Sequence, residues 1–373
     1  MSQFLAKPLR LFLVVLVAGM AQPVSAADTN VVNAHVGVTT DIDPENSVGF
    51  RKGSLIVAPI PFSNPLIGSG LALGAGYLFT ATEGAGTSLI GAGAMRSENG
   101  SEATGATLKL SLGGGAWDVA ATVADASLNY DLLAGPFTIP IRQTGTFARL
   151  QFGHQIAPNL SLGLVTKYLQ TDISSGNPAF GSLGSNFTLN GGLEMASLGL
   201  TAEYDTRDSD IYPTRGTHAT ATVLRNQVET GTVTDYTKAT ALLSQFHSIG
   251  ERSVLGLRLA GCSTERSAPF FDLCSIGGTD SMRGFNPTQY LDANLLSVQA
   301  ELRHMFTNRI GMVAFAGAGS VGTGFDSLTR GGAAGGLGLR IRVSRKVPVS
   351  FAIDMSYNDQ GESLLYISVG ERF

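Results

Sequence analysis

Short stretches of alternating apolar and polar residues recur from about Gly53 to the C-terminus, separated by clusters of Gly, Asn, Asp and Ser. Leu108, Leu110 and Leu112 alternate with Thr107, Lys109 and Ser111, and Leu160, Leu162 and Leu164 with Asn159, Ser161 and Gly163. Leu337, Leu339, Ile341 and Val343 alternate in the same way with Gly338, Arg340, Arg342 and Ser344. A period of two marks strands with one apolar and one polar face, and the intervening clusters mark turns. About 16 such strands fit the chain, each near the roughly 9–11 residues that cross a bilayer as a tilted strand. The first reads as Gly53 to Phe62 and contains Pro59 and Pro61. Proline removes a ladder donor. Two readings are therefore open: a weakened junction between first and last strands, or prolines that open the first loop.

Composition decides between a soluble sandwich and a membrane barrel. Charged residues are 14% of the chain and Gly numbers 47 of 373, whereas soluble domains carry about 25% charge. Lys7 and Arg10 precede the apolar run Leu11 to Ala21 and then Pro23-Val-Ser-Ala26, the pattern of a secretory signal peptide over residues 1–26. The run falls short of the roughly 20 residues of a membrane helix. Residues 27–52 read as a short periplasmic leader and 53–373 as the barrel. The expectation is an all-β fold, a transmembrane antiparallel β-barrel of the bacterial outer membrane with apolar residues toward lipid and polar residues toward the lumen. The net charge of −4 gives no reason to expect a nucleic-acid partner.

The chain closes on alternating residues, Leu365-Tyr-Ile-Ser-Val-Gly-Glu-Arg-Phe373. Ending on Phe373, it looks like the signal by which bacterial outer-membrane barrels are recognised for assembly, with Glu371 departing from the pattern. Outer-membrane lipid and, during biogenesis, the barrel-assembly machinery are thus expected partners. Cys262 and Cys274 lie close together in an exported chain, so a disulfide is the natural reading and two free thiols the other. No His or second Cys pair accompanies them, so no metal is expected. His35, His154, His218, His247 and His304 are scattered, and no nucleophile elbow or phosphate-binding loop is present. No enzyme activity and no cofactor are expected.

Two motifs carry a resemblance. The first is Tyr204-Asp-Thr-Arg-Asp208 followed by Tyr212-Pro-Thr-Arg-Gly216; the second is Gly277-Gly-Thr-Asp-Ser-Met-Arg-Gly-Phe285 followed by Gln299-Ala-Glu-Leu-Arg303. Their order and spacing resemble the bacterial surface antigen family of outer-membrane barrels, which takes in the insertase BamA, its relative TamA and the two-partner-secretion transporters. The resemblance implies that Arg283, Gly284 and Phe285 tip a sixth outer loop folded into the lumen, where the arginine latches onto acids of the following strands. Alternation supplies candidates independently. With Leu296, Val298, Ala300 and Leu302 toward lipid, Ser297, Gln299, Glu301 and Arg303 face inward; with Phe351, Ile353, Met355 and Tyr357 toward lipid, so does Asp354. Glu301 and Asp354 are then available to Arg283, whose other reading is a solvated turn residue. One position departs from the family pattern, because Gly317 stands where an acid is expected. Asp205, Arg207 and Asp208 read as a salt-bridged periplasmic turn, and Pro213, Arg215 and Gly216 as its tight reversal.

Family insertases and transporters also carry N-terminal POTRA domains, and Ala27 to Gly53 is too short for one. The resemblance therefore implies a member lacking POTRA domains. Such a barrel is expected to aid insertion or passage of a protein or lipid, with a periplasmic or outer-membrane partner supplying recognition. A passive pore, its field set by Arg303, Arg340, Arg342, Glu301 and Asp354, is an alternative; a structural surface barrel is another.

Overall fold

The computed structural model describes residues 49–50, 53–135, 137–175, 191–230, 233–278, 281–342 and 349–372. The expected signal peptide, all but two residues of the leader, and Phe373 lie outside the described residues.

The strands run in chain order as β1 (Ser54–Asn64), β2 (Gly68–Thr80), β3 (Thr87–Ser97), β4 (Glu102–Leu112), β5 (Trp117–Ala134), β6 (Phe137–Ala157), β7 (Leu160–Ser175), β8 (Gly191–Asp205) and β9 (Gly216–Thr230). There follow β10 (Tyr236–Ile249), β11 (Ser253–Thr264), β12 (Cys274–Ser275), β13 (Leu291–Asp292), β14 (Asn294–Met305), β15 (Ile310–Gly322), β16 (Leu328–Arg342), β17 (Ser350–Asn358) and β18 (Ser363–Val369). All but β12 and β13 form one closed antiparallel barrel of 16 strands. β12 and β13 pair as a short ribbon inside the long loop between β11 and β14. The even count puts the start of β1 and the end of β18 at the same end, called the terminal end below; the other is the outer end.

The pleat sorts the side chains as alternation predicts. Along β14, Leu296, Val298 and Leu302 are exposed while Ser297, Gln299, Glu301 and Arg303 are buried. Along β16 and β17, Leu337, Leu339 and Met355 point outward, and Arg340, Asp354 and Ser356 point inward. An outer surface this apolar is stable only against lipid. β5 and β6, at 18 and 21 residues, exceed the roughly 9–11 needed to cross. Toward the outer end their inward side chains turn apolar, and Leu128, Leu132, Ile139 and Ile141 form a core with Phe270 and Phe271 of the long loop.

The barrel is closed unevenly. β1 pairs with β2 from Ser54↔Leu78 to Asn64↔Gly68, but its pairing with β18 is a single position, Ser63↔Ile367. The prolines give the reason. They lie within β1, opposite Leu73 and Leu71, and the ladder to β2 is unbroken there. Amide donors alternate in direction along a strand, so the two missing donors face β18. Ser63 is the next residue of that parity with an N–H to give. The strand reading of the prolines is the correct one, and the strand extends past Phe62 to Asn64.

Candidate functional site

From the outer end, the long loop between β11 and β14 runs down against the inward-facing residues of β14 and β17. Glu301 lies seven positions into β14 (301 − 294 = 7), about 23 Å along the strand, and Arg283 reaches it. Two glycines make the descent possible. Gly277 runs so close to the returning limb of the loop that a Cβ would sit 2.4 Å from the Phe285 carbonyl. Gly284 has φ +118°, and a Cβ there would lie 2.2 Å from Ala334 Cβ, so only glycine fits. Its N–H donates to Tyr366 Oη at 2.8 Å, and its carbonyl accepts from Asn358 Nδ2 at 2.9 Å. Phe285 is fully buried, edge-on to Tyr290 at 5.4 Å.

Arg283 is buried, not solvated. Its Nη1 donates to Asp354 Oδ2 at 2.7 Å, and its Nη2 to Glu301 and, at 3.3 Å, to Gln299 Oε1. The guanidinium carbon stands 3.8 Å from the centroid of the Phe315 ring. Arg303 Nε donates to Glu301 at 2.7 Å, while Arg340 binds Asp354 and donates from Nε to Glu371 at 2.8 Å. Three guanidinium groups and three carboxylates therefore alternate in one network, each side chain no more than 1% exposed. Buried charges are tolerated only when paired in this way.

Two features of this network lay beyond the sequence reading. Gly317, where an acid is expected, has Met282 Sδ 3.0 Å from its ideal Cβ; Gln299 and the Phe315 face complete the guanidinium's surroundings instead. Glu371, which departs from the terminal pattern, is the third carboxylate. It lies past the end of β18, where alternation no longer assigns a face. Charge balance was the available signal, since inward Arg283, Arg303 and Arg340 outnumber Glu301 and Asp354.

At the terminal end, the turn between β8 and β9 folds under the lumen. Arg207 clasps Asp205 through Nε at 3.0 Å and Nη2 at 2.5 Å. Asp208 does not join this ion pair: it accepts the Thr214 hydroxyl and the Thr214 and Arg215 amides, the latter two at 2.8 and 3.1 Å. Of the three expected residues only Asp205 and Arg207 pair, with Asp210 approaching the same guanidinium at 3.8 Å, and the Asp208 carboxylate ties the turn through the amides of Thr214 and Arg215. Arg215 is exposed. Gly216, at φ +105°, would place a Cβ 2.2 Å from the Thr206 carbonyl. Tyr212 packs with Phe246, Val254 and Met305, and its ring lies 4.6 Å from Arg342 and 5.5 Å from Arg303. Arg303 Nη1 also donates to the Pro213 carbonyl at 3.4 Å. The two sequence motifs therefore meet through Arg303.

The strand register also brings His218 opposite Asp205. Glu203, Asp205 and His218 offer ligand atoms within 4.8 Å of one another, a donor set invisible at the spacing of the sequence. His218 Nε2 is 2.9 Å from Glu203, and both Asp205 oxygens accept from Arg207. A cation would have to displace that guanidinium. Cys262 and Cys274 are joined, with Cα atoms 5.8 Å apart.

Comparison with known proteins matches residues 122–373 to the Omp85 superfamily domain. No curated protein matches the chain. Among solved structures, BamA from Haemophilus ducreyi lacking POTRA domains 1–3 is similar at TM-score 0.60 and 14% identity, covering 86% of this chain and 70% of that one. CdiB from Acinetobacter baumannii gives TM-score 0.56 and 12% identity, over 84% of this chain and 59% of that one. CdiB from Escherichia coli gives 0.56 and 13%, over 86% and 67%. At these identities the likeness to each structure is one of fold.

Proposed function

The chain belongs to the Omp85 superfamily, and from that premise we propose that it aids the insertion or passage of a protein or lipid at the bacterial outer membrane, together with a partner protein that supplies recognition. The observation that carries this reading is the seam, where among the described residues β1 and β18 are in ladder register at Ser63↔Ile367 alone, with one further bond from Ser63 Oγ to the Leu365 carbonyl at 3.3 Å. A barrel wall that is thin at one place offers a lateral route into the lipid. The loop tip is built around that place. Gly284 binds Tyr366 of β18, and Asn286 Nδ2 donates at 3.1 Å to the Pro65 carbonyl, just beyond β1. Arg283 acts as the latch that keeps this brace in position, with Glu301 and Asp354 as its keepers. The apolar core of the outer half weighs against a passive pore, which needs a wet lumen.

The test is the folding of an unfolded eight-strand barrel into liposomes carrying this protein, followed by heat-dependent gel shift. Acceleration over empty liposomes is expected, and it should disappear when Ser63→Cys and Ile367→Cys are oxidised to a disulfide across the seam. Folding no faster than in empty liposomes, or unaffected by the crosslink, overturns the lateral route.

A further inference from the structure

Besides the Arg283 network, the barrel interior holds a second buried ion pair, at the opposite end of the lumen. Asp272 lies on the outbound limb of the loop, in a short helical turn over Phe270–Asp272. Its Oδ1 accepts from Lys238 Nζ at 2.9 Å and its Oδ2 from Tyr236 Oη at 2.6 Å, while its carbonyl accepts a further Lys238 bond at 2.8 Å. Both charged side chains are at most 2% exposed. Tyr236 and Lys238 open β10 at the outer end, and the adjacent Phe270 and Phe271 are packed into the apolar core there. Two residues on, the disulfide fixes Cys274 to β11.

We propose that Asp272, held by Lys238 and Tyr236, is a second positioning anchor of the loop, independent of Arg283, so that the lumen opens only when both are released. This rests on the reading of the loop as a latch. The physical reason is the separation of the two attachments. Release of Arg283 frees the tip, but the limb at Phe270–Asp272 still fills the outer half of the lumen, because its aromatic residues and its ion pair belong to a different contact set. Conversely, loss of the outer pair leaves the tip held by Glu301, Gln299 and Asp354. A ligand or partner that acts on one end alone would loosen the loop without unplugging the barrel.

The experiment compares four proteins in planar bilayers, each with the Cys262–Cys274 disulfide reduced so that no covalent tether holds the limb: wild type, Arg283→Ala, Lys238→Met with Asp272→Asn, and all three substitutions combined. Lys238 and Asp272 are changed together so that no lone charge stays buried. Heat-dependent gel shift reports whether each barrel is intact. Conductance at the wild-type level in the first three, rising in the combined variant toward that of an open 16-strand channel, is the expected result. A full rise in Arg283→Ala alone overturns the second anchor and leaves the latch standing. No rise in any variant, or a large steady conductance in the wild type, overturns both. Hydrogen exchange decides the same question without the combined protein. Protection at residues 268–274 should survive Arg283→Ala, and protection at 281–285 should survive the paired substitution; joint loss of both segments in either variant overturns independence.

Discussion

Gly284 shows how far one residue constrains the site. Its φ of +118° and the 2.2 Å approach of Ala334 act together. Gly250, in a terminal-end turn, has φ +70° but nothing within 4 Å of an added Cβ. Gly250→Ala should therefore cost only the backbone strain of a left-handed residue, about 1–2 kcal/mol. Gly284→Ala adds a clash with backbone-anchored Ala334 and should cost clearly more, with Ala334→Gly recovering the steric part alone. Urea unfolding of the detergent-solubilised barrels checks the order. The importance of this glycine beside Arg283 was legible in the motif; its partner Ala334, some fifty residues away, was not. Phe315 is a similar case. The rule of apolar side chains toward lipid gives no hint of it; the closed barrel buries Phe315 inward and puts its ring under the guanidinium, and Phe315→Leu should cost about 1–2 kcal/mol by the same measurement.

Among the elements, the turn between β8 and β9 and the first strand make separate predictions. Partial burial pushes the Asp208 carboxyl up, but the bonds it accepts from the Thr214 hydroxyl and the Thr214 and Arg215 amides outweigh that and hold it below the usual carboxylate range. A carboxyl whose pKa is depressed on folding contributes stability above its unfolded value of about 3.9, and that contribution is lost as pH falls through the folded value. The unfolding midpoint should thus drop on acidification below about pH 4, and Asp208→Asn should drop less steeply. In β1, Pro61→Ala returns a donor to the seam. The register from Ser63↔Ile367 carries that donor to Val369, so exchange of β18 amides should slow. The gain, about 1 kcal/mol for a hydrogen bond, is partly offset by the looser unfolded chain. If the seam is the lateral route, client insertion should slow with it; unchanged exchange in β18 would mean that the prolines do not set the weakness.

For the whole molecule, the distribution of polarity inside the barrel decides the behaviour of the lumen. The terminal half holds the arginine–carboxylate network over Tyr212, and the outer half holds an apolar core. An aqueous channel through such an interior would have to wet packed leucine and isoleucine side chains, so the wild-type barrel is expected to show low conductance despite its 16 strands. Arg283→Ala leaves Glu301 and Asp354 sharing Arg303 and Arg340, and removing one partner from a buried pair costs about 3–5 kcal/mol. A large stability loss without a matching rise in conductance is therefore the combination to look for.

The class of fold is legible in the amino-acid pattern. Period-two alternation, low charge and abundant glycine leave little choice but strands closed into a lipid-facing barrel, and the same alternation put Glu301, Arg303 and Asp354 on the face away from lipid, where they are buried. Those are local properties: a pleat sends successive side chains to opposite faces whatever the strands pair with. Which inward groups meet is set by the closed barrel. Glu371 joins Arg340 from beyond the last strand, Arg303 ties the terminal-end turn to the loop tip, and Asp272 finds Lys238 across the outer end. Each of these contacts depends on strand register, barrel closure and the depth reached by a long loop, and those are set by packing of the whole chain rather than by the pattern of any one stretch.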